Sequence, residues 1–333
     1  MSDSTRRGFA GWQIAALAAA GVAGGLAVAN TIARRSAGEA RSVLSGERGR
    51  YAWTLGDVFY TVKGSGAPVV LIHGIYAGAS SYEFRKVFDL LAGDYRVYAL
   101  DLLGFGLSEK PPVTYTPILY QELIEDFVRQ VVGGAEQPVV AIASTLGAAF
   151  TIRAVADRPG LFSRLVLIEP TGIEDLARGG ETTGRRIWRA ILRSPLLGEA
   201  IYNAIASRPS IRYFLEKQTY AQGYPVSDDI IDHYHAYAHQ PGARYAPASF
   251  ISGTLNTAVA SAYAVLSLPI LLCWGKDARF TPLEHARAFR QANPAAELRV
   301  FDCGALPQEE VPEEFAREVT TWLRATSPTG TQS

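Results

Sequence analysis

A mostly parallel α/β sheet, covered by helices on both faces and carrying one helical insertion, is the fold the sequence predicts. Three observations predict it. Between residues 51 and 325, short and wholly apolar runs alternate with amphipathic stretches, the pattern of strands buried on both faces. The interval from 169 to 269 breaks that alternation, with several helical signals and no strong strand signal. The composition of the 333 residues, 48% hydrophobic and 19% charged, suits one large core and neither disorder nor a multi-span membrane protein.

Taken in order, residues 1–35 form the first unit. Phe9 to Ala33 carries no charge and is apolar all round, unlike the single stripe of a globular surface helix, and it is long enough to span a bilayer. The favoured reading is a retained membrane anchor. Arg6 and Arg7 before it and Arg34 and Arg35 after it give little asymmetry, so its orientation stays open. The alternative is a twin-arginine export signal, from Thr5-Arg6-Arg7-Gly8-Phe9 and a cleavage-like Ala27-Val28-Ala29. Residues 36–50 are polar and read as a linker.

The first part of the core is expected over 51–172. Tyr51 to Trp53 and Val58 to Val62 flank the turn residues Gly56 and Asp57, which predicts a hairpin. Buried strands follow at Val69–Ile72, Val97–Leu100, Val139–Ala143 and Leu165–Ile168, with helical spacing over Tyr82–Leu91, Thr116–Val132 and Thr145–Asp157. Residues 173–265 are the insertion, with helices at Arg185–Leu192, Gly198–Ile205, Ile211–Thr219 and Asp228–His239. It holds many tyrosines, which at helical spacing are more often core than pocket, and reads as a helical lid over the C-terminal strand edge, where open α/β sheets bind ligands. The second part of the core, 266–325, supplies strands Ile270–Trp274 and Leu298–Phe301 and helices Leu283–Ala292 and Pro312–Ala325, before a polar tail at 326–333.

Charge excludes one class of partner. Lys+Arg and Asp+Glu are 32 each, so no global field attracts nucleic acid. Cys273 and Cys303 are too few for a disulfide framework or metal cluster and read as core thiols; no cofactor is expected.

Five landmarks in order, from about Tyr51 to Leu323, carry a family resemblance. They are His73-Gly74 after a buried strand, Asp101-Leu102-Leu103-Gly104-Phe105-Gly106-Leu107-Ser108 after the next, the small-x-x-x-small turn from Ala143 to Gly147, Trp274-Gly275-Lys276-Asp277, and Cys303-Gly304-Ala305-Leu306-Pro307. The chain resembles the α/β-hydrolase superfamily, in the branch of lidded esterases, carbon-carbon bond hydrolases and haloalkane dehalogenases.

That resemblance implies a nucleophile on a sharp strand-to-helix turn, a histidine base, an acid that orients it, and two backbone N–H groups for the oxyanion. Ile75 and Leu146 stand where the N–H donors belong, and His73 where a residue holds the loop. The nucleophile position reads Thr145. A β-branched residue resists the positive-φ conformation of that apex, so a relaxed, non-nucleophilic turn is expected. Ser144 has the right chemistry, but its register would put Ile142 and Leu146 where small residues are needed. The acid position reads Ala278, with Asp277 one residue early; Glu169, in Leu167-Ile168-Glu169-Pro170, occupies the alternative place for an acid. The histidine position reads Ala305. His233, His235 and His239 lie in the lid and His285 on an outer helix; His235 and His239 are four apart, which alone is weak evidence for a metal.

Efficient hydrolysis is therefore not expected, since loss of the set leaves only the contributions of the oxyanion hole and binding. The sequence favours a membrane-anchored, non-catalytic or strongly impaired relative that binds a small apolar ligand or a protein partner under its lid. The alternative is an active hydrolase of a hydrophobic ester-like substrate with a relocated set, Thr145 or Ser144 with Glu169 and a lid histidine.

Overall fold

The computed structural model describes residues 4–134, 136–178 and 182–327, with side chains from residue 20 onward. Eight strands form one sheet: β1 Glu47–Trp53, β2 Gly56–Lys63, β3 Pro68–Ile72, β4 Arg96–Leu100, β5 Val139–Ser144, β6 Phe162–Ile168, β7 Ile270–Gly275 and β8 Glu297–Phe301. Their spatial order is β1-β2-β4-β3-β5-β6-β7-β8. β1 and β2 run antiparallel, and every pairing from β4 to β8 is parallel.

The apolar runs are explained by two-sided burial. In β3, Val70 and Ile72 enter one core cluster and Val69 and Leu71 the other; in β5, Ala141 and Ala143 face one way and Val140 and Ile142 the other. Successive side chains alternate faces, and both faces are covered. The expected linker is shorter than 36–50, because β1 begins at Glu47 and Leu44 is buried in the second cluster beside Phe88 and Leu91.

In chain order the helices are α1 Ser4–Ser36, α2 Phe88–Ala92, α3 Pro117–Phe127, α4 Thr145–Asp157, α5 Thr183–Arg193, α6 Leu197–Ile205, α7 Arg208–Phe214, α8 Asp228–Ala238, α9 Tyr245–Ile251, α10 Ala260–Ala264, α11 Ala286–Ala292, α12 Pro307–Glu310 and α13 Pro312–Ala325. The helix expected over Tyr82–Leu91 divides into a 3₁₀ turn, Ser81–Phe84, and α2. Helices α5 to α10 form the insertion between β6 and β7; α9 and α10 had no sequence signal. Among the described residues no helix is long and apolar enough to cross a membrane. Residues 9–19 of the Phe9–Ala33 stretch read as an anchor lie outside the described side chains.

Candidate functional site

A cavity of about 230 Å³ lies over the C-terminal ends of β3, β5 and β6. Thr145, Ile75, Tyr76 and Glu169 line its floor, Ala305 one side, and Ile205, Phe214 and Ile251 of the insertion its roof. The wall is overwhelmingly apolar.

Thr145 holds the sharp turn. Ser144 is extended (φ −110°, ψ 138°) and still paired with Ile168, and α4 starts at the next residue, so Thr145 takes φ 47°. The relaxed turn expected from its β-branch is therefore corrected. Ala143 and Gly147 allow the close fit: a Cβ on Gly147 would collide with the His73 carbonyl. With strand and helix fixed on both sides, Thr145 absorbs strain of order 1–3 kcal/mol. The Leu146 N–H lies in the first turn of α4, where it has no acceptor within the helix, and Ile75 borders the cavity.

His73 is buried and occupied at both nitrogens. Nε2 accepts from Leu102 N at 3.0 Å, which leaves Nδ1 protonated to donate to Gly74 O at 2.7 Å. The ring ties the loop after β3 to the loop after β4, and burial holds its pKa below the ordinary value. Ser144 is fully buried, lies outside the cavity wall and sits beside the Glu83 carboxyl.

Glu169 follows β6 with φ 44°, and its carboxyl group is buried at the cavity. Oε1 accepts from Gly275 N at 3.0 Å and Oε2 from the Thr281 hydroxyl. Burial pushes its pKa up to about 8, against the pull of those two donors. Ala278 is buried in the core and Asp277 is exposed. Ala305 faces the cavity, and its N–H donates to Thr219 O of the insertion at 2.7 Å.

No histidine among the described residues lines the cavity. His233 stacks on Tyr82 with ring centroids 3.5 Å apart, and burial with nearby Arg85 pushes its pKa down to about 3. His239 Nδ1 bonds the His235 carbonyl at 2.8 Å, and the two rings pack 4.1 Å apart. His285 is engaged by Glu174 and Asp175. Among the described residues no three metal-ligating side chains cluster. The structure thus gathers Thr145, Glu169, Ile75 and Ala305, and leaves Ser144 and the histidines outside.

A model of the alpha/beta hydrolase family matches residues 69–318, spanning the sheet from β3, the elbow and the insertion. The chain belongs to this family. Among its relatives, the 2-hydroxy-6-oxo-6-(2'-aminophenyl)hexa-2,4-dienoic acid hydrolase of Metapseudomonas resinovorans is 26% identical over 79% of this chain and 86% of its own. A haloalkane dehalogenase of Mycobacterium marinum is 34% identical over 40% of this chain and 43% of its own. Of solved structures, a serine hydrolase of carbazole degradation superposes with TM-score 0.71 at 23% identity, covering 84% of this chain and all of that one. A membrane phospholipase A superposes with TM-score 0.66 at 21% identity, covering 96% of this chain and 99% of that one.

Two polar clusters beside the family's elbow escaped the sequence reading. Glu83 is buried under the loop after β3; Oε2 accepts from Gly74 N at 3.1 Å and from Tyr76 Oη at 2.8 Å, and Oε1 from Gln308 Nε2 at 3.2 Å. Burial raises its pKa to about 7. The second cluster joins the insertion to the core. Glu309 is paired with Arg85 at 2.8 Å and accepts from Tyr220 Oη at 2.5 Å, while Glu310 caps the amides of Ala221 and Gly304 at 2.8 and 3.1 Å. In sequence Glu83 stands between Tyr82 and Phe84, while Glu309 and Glu310 follow Gln308 in a polar run, a pattern that a solvated helix face produces equally well.

Proposed function

We propose that this chain is a membrane-anchored family member that binds a small apolar molecule above Thr145 and hydrolyses it poorly or not at all. One observation carries the reading: the cavity keeps the elbow and the oxyanion-side backbone, yet has an alanine, Ala305, on the wall where the resemblance puts the base, and no histidine among the described lining residues. Without a base the Thr145 hydroxyl keeps its proton at neutral pH and remains a weak nucleophile. The apolar wall favours a hydrocarbon body, and the Thr145 hydroxyl with the Leu146 amide suits one polar head. Anchoring rests on the uncharged stretch from Phe9 to Ala33; the superposition with a membrane phospholipase A, which extends over 96% of the chain, is in keeping with it.

The test pairs binding with turnover. Full-length protein in detergent is titrated with cis-parinaric acid and assayed with p-nitrophenyl butyrate; saturable binding that Phe214→Asp removes, without ester turnover, is expected. Turnover well above the detergent blank would favour the second reading, an active hydrolase of an ester-like substrate that uses Thr145 and Glu169. That reading has one observation of its own, the strained φ of Thr145, because such strain clusters at working sites.

A further inference from the structure

Helix α5 buries Leu192 but turns two other large apolar side chains outward and two arginines toward the protein. Ile187 and Trp188 are 56% and 41% exposed, while Arg189 on the same helix is buried and donates to Thr254 Oγ1 at 2.7 Å. Arg193 turns inward too, donating to Val113 O at 2.8 Å with its guanidinium over the Tyr245 ring. A helix facing water does the reverse, burying apolar side chains and extending its arginines. Next to it, Leu196 and Leu197 at the start of α6 are exposed as well.

Ile205 of α6, Phe214 of α7, Ile251 of α9 and Phe280 after β7 are also exposed apolar side chains, and all four line the cavity. The end of α1 is fastened at the same place: Asn30 Nδ2 donates to Leu196 O at 3.1 Å, Asn203 Nδ2 donates to Asn30 Oδ1 at 3.0 Å, and Arg34 pairs with Glu199 at 3.2 Å. Val22, Val28 and Ile32 of α1 are themselves exposed. The apolar helix is therefore fastened to α6, the helix that ends at the cavity-lining Ile205.

We propose that the face made by α5, α6, α7 and α9 rests on a bilayer containing anionic lipid, and that the cavity fills from that bilayer with a single-chain amphiphile. The docking stands on the surface alone; what the cavity takes up rests on the binding reading given above. Charge selects this occupant over a second copy of the chain. Arg35, Arg186, Lys217 and Arg279, carried on or near these elements, are exposed, and cations so placed attract anionic headgroups and repel their own likeness. Trp188 is placed as an interfacial side chain is, with an apolar ring and a polar N–H.

The experiment uses full-length protein in phosphatidylcholine–phosphatidylglycerol vesicles whose acyl chains carry bromine, a short-range quencher of tryptophan. Comparison with Trp188→Phe isolates this ring from Trp12 of α1. A quenched component that disappears in Trp188→Phe is expected. Equal quenching in the two proteins would overturn the docking, because attachment would then run through α1 alone. Protection of Trp188 from aqueous iodide that rises with protein concentration, in detergent and without vesicles, would also overturn it, in favour of a second copy on the face. A double variant, Ile187→Asp with Leu197→Asp, alters two exposed residues outside the cavity wall. It is expected to slow transfer of cis-parinaric acid from vesicles to protein about tenfold, with affinity in detergent unchanged. Unchanged transfer would overturn filling from the bilayer. Absence of cis-parinaric acid binding even in detergent would defeat the binding reading instead, and Trp188 quenching would still report the docking.

Discussion

On one side of the cavity β5 turns sharply into α4 at Thr145, and on the other the Gly304–Leu306 segment follows β8. The first wall keeps its backbone geometry, with extended Ser144, left-handed Thr145 and Gly147 tight against His73. The second is tied down by the insertion, through Ala305 N to Thr219 O and through Glu309 and Glu310 to Tyr220 and Ala221. The elbow is dictated by strand and helix packing, which survives a change of side chain. The opposite wall carries Ala305 and is held by contacts with the insertion. The first wall is thus set by backbone packing and the second by side-chain contacts that cross to the insertion.

Breaking the tie should have the largest effect. Glu309 is fully buried and paired with Arg85, so Glu309→Ala leaves an uncompensated guanidinium and is expected to cost about 3–5 kcal/mol in urea unfolding. A loss below about 1 kcal/mol would mean the pair is solvated and the second wall loosely held.

The elbow wall should respond in the opposite direction. Thr145→Gly removes the penalty of a β-branched side chain at φ 47° and is expected to stabilise the fold by roughly 1 kcal/mol, seen as a higher Tm, while Thr145→Ala gains less. Destabilisation by glycine would show that the threonine side chain holds the turn through its contacts.

How much of this contrast was legible beforehand follows from the kind of signal each wall leaves. The sheet was readable because β3 and β5 are buried on both faces and leave unbroken apolar runs, and the elbow because Ala143 and Gly147 bracket it at fixed spacing. The conformation of Thr145 was misjudged, because intrinsic preference was weighed without the strand and helix that override it. Glu83 and Glu309 were invisible as buried acids, since their partners Gln308 and Arg85 lie far away in sequence. The insertion was placed by its length, but α9 and α10, short and without caps, gave no periodic pattern.

A smaller effect probes Glu169, which lies between the two walls. Its carboxyl ionises near 4.5 in the unfolded chain and near 8 in the fold, so over that range the fold holds a proton the unfolded chain has lost. The stability associated with neutral Glu169 is complete below about pH 4.5 and is lost as pH rises toward 8. His233, with about 3 folded and 6.5 unfolded, has finished changing by then. Between pH 7 and 8 the Tm of the wild type should therefore fall more than that of Glu169→Gln. Parallel curves would show that Glu169 is ionised throughout, as a relocated catalytic acid would be.

The central claim is that the elbow is intact while no base reaches Thr145, and covalent labelling with a fluorophosphonate tests it directly. Wild type and the variant Thr145→Ser with Ala278→Asp and Ala305→His are labelled side by side and mapped by peptide mass spectrometry. No adduct on the wild type and an adduct at position 145 in the triple variant are expected, with the single variants nearly silent because nucleophile, base and acid act as a unit. An adduct on Thr145 of the wild-type protein would contradict it.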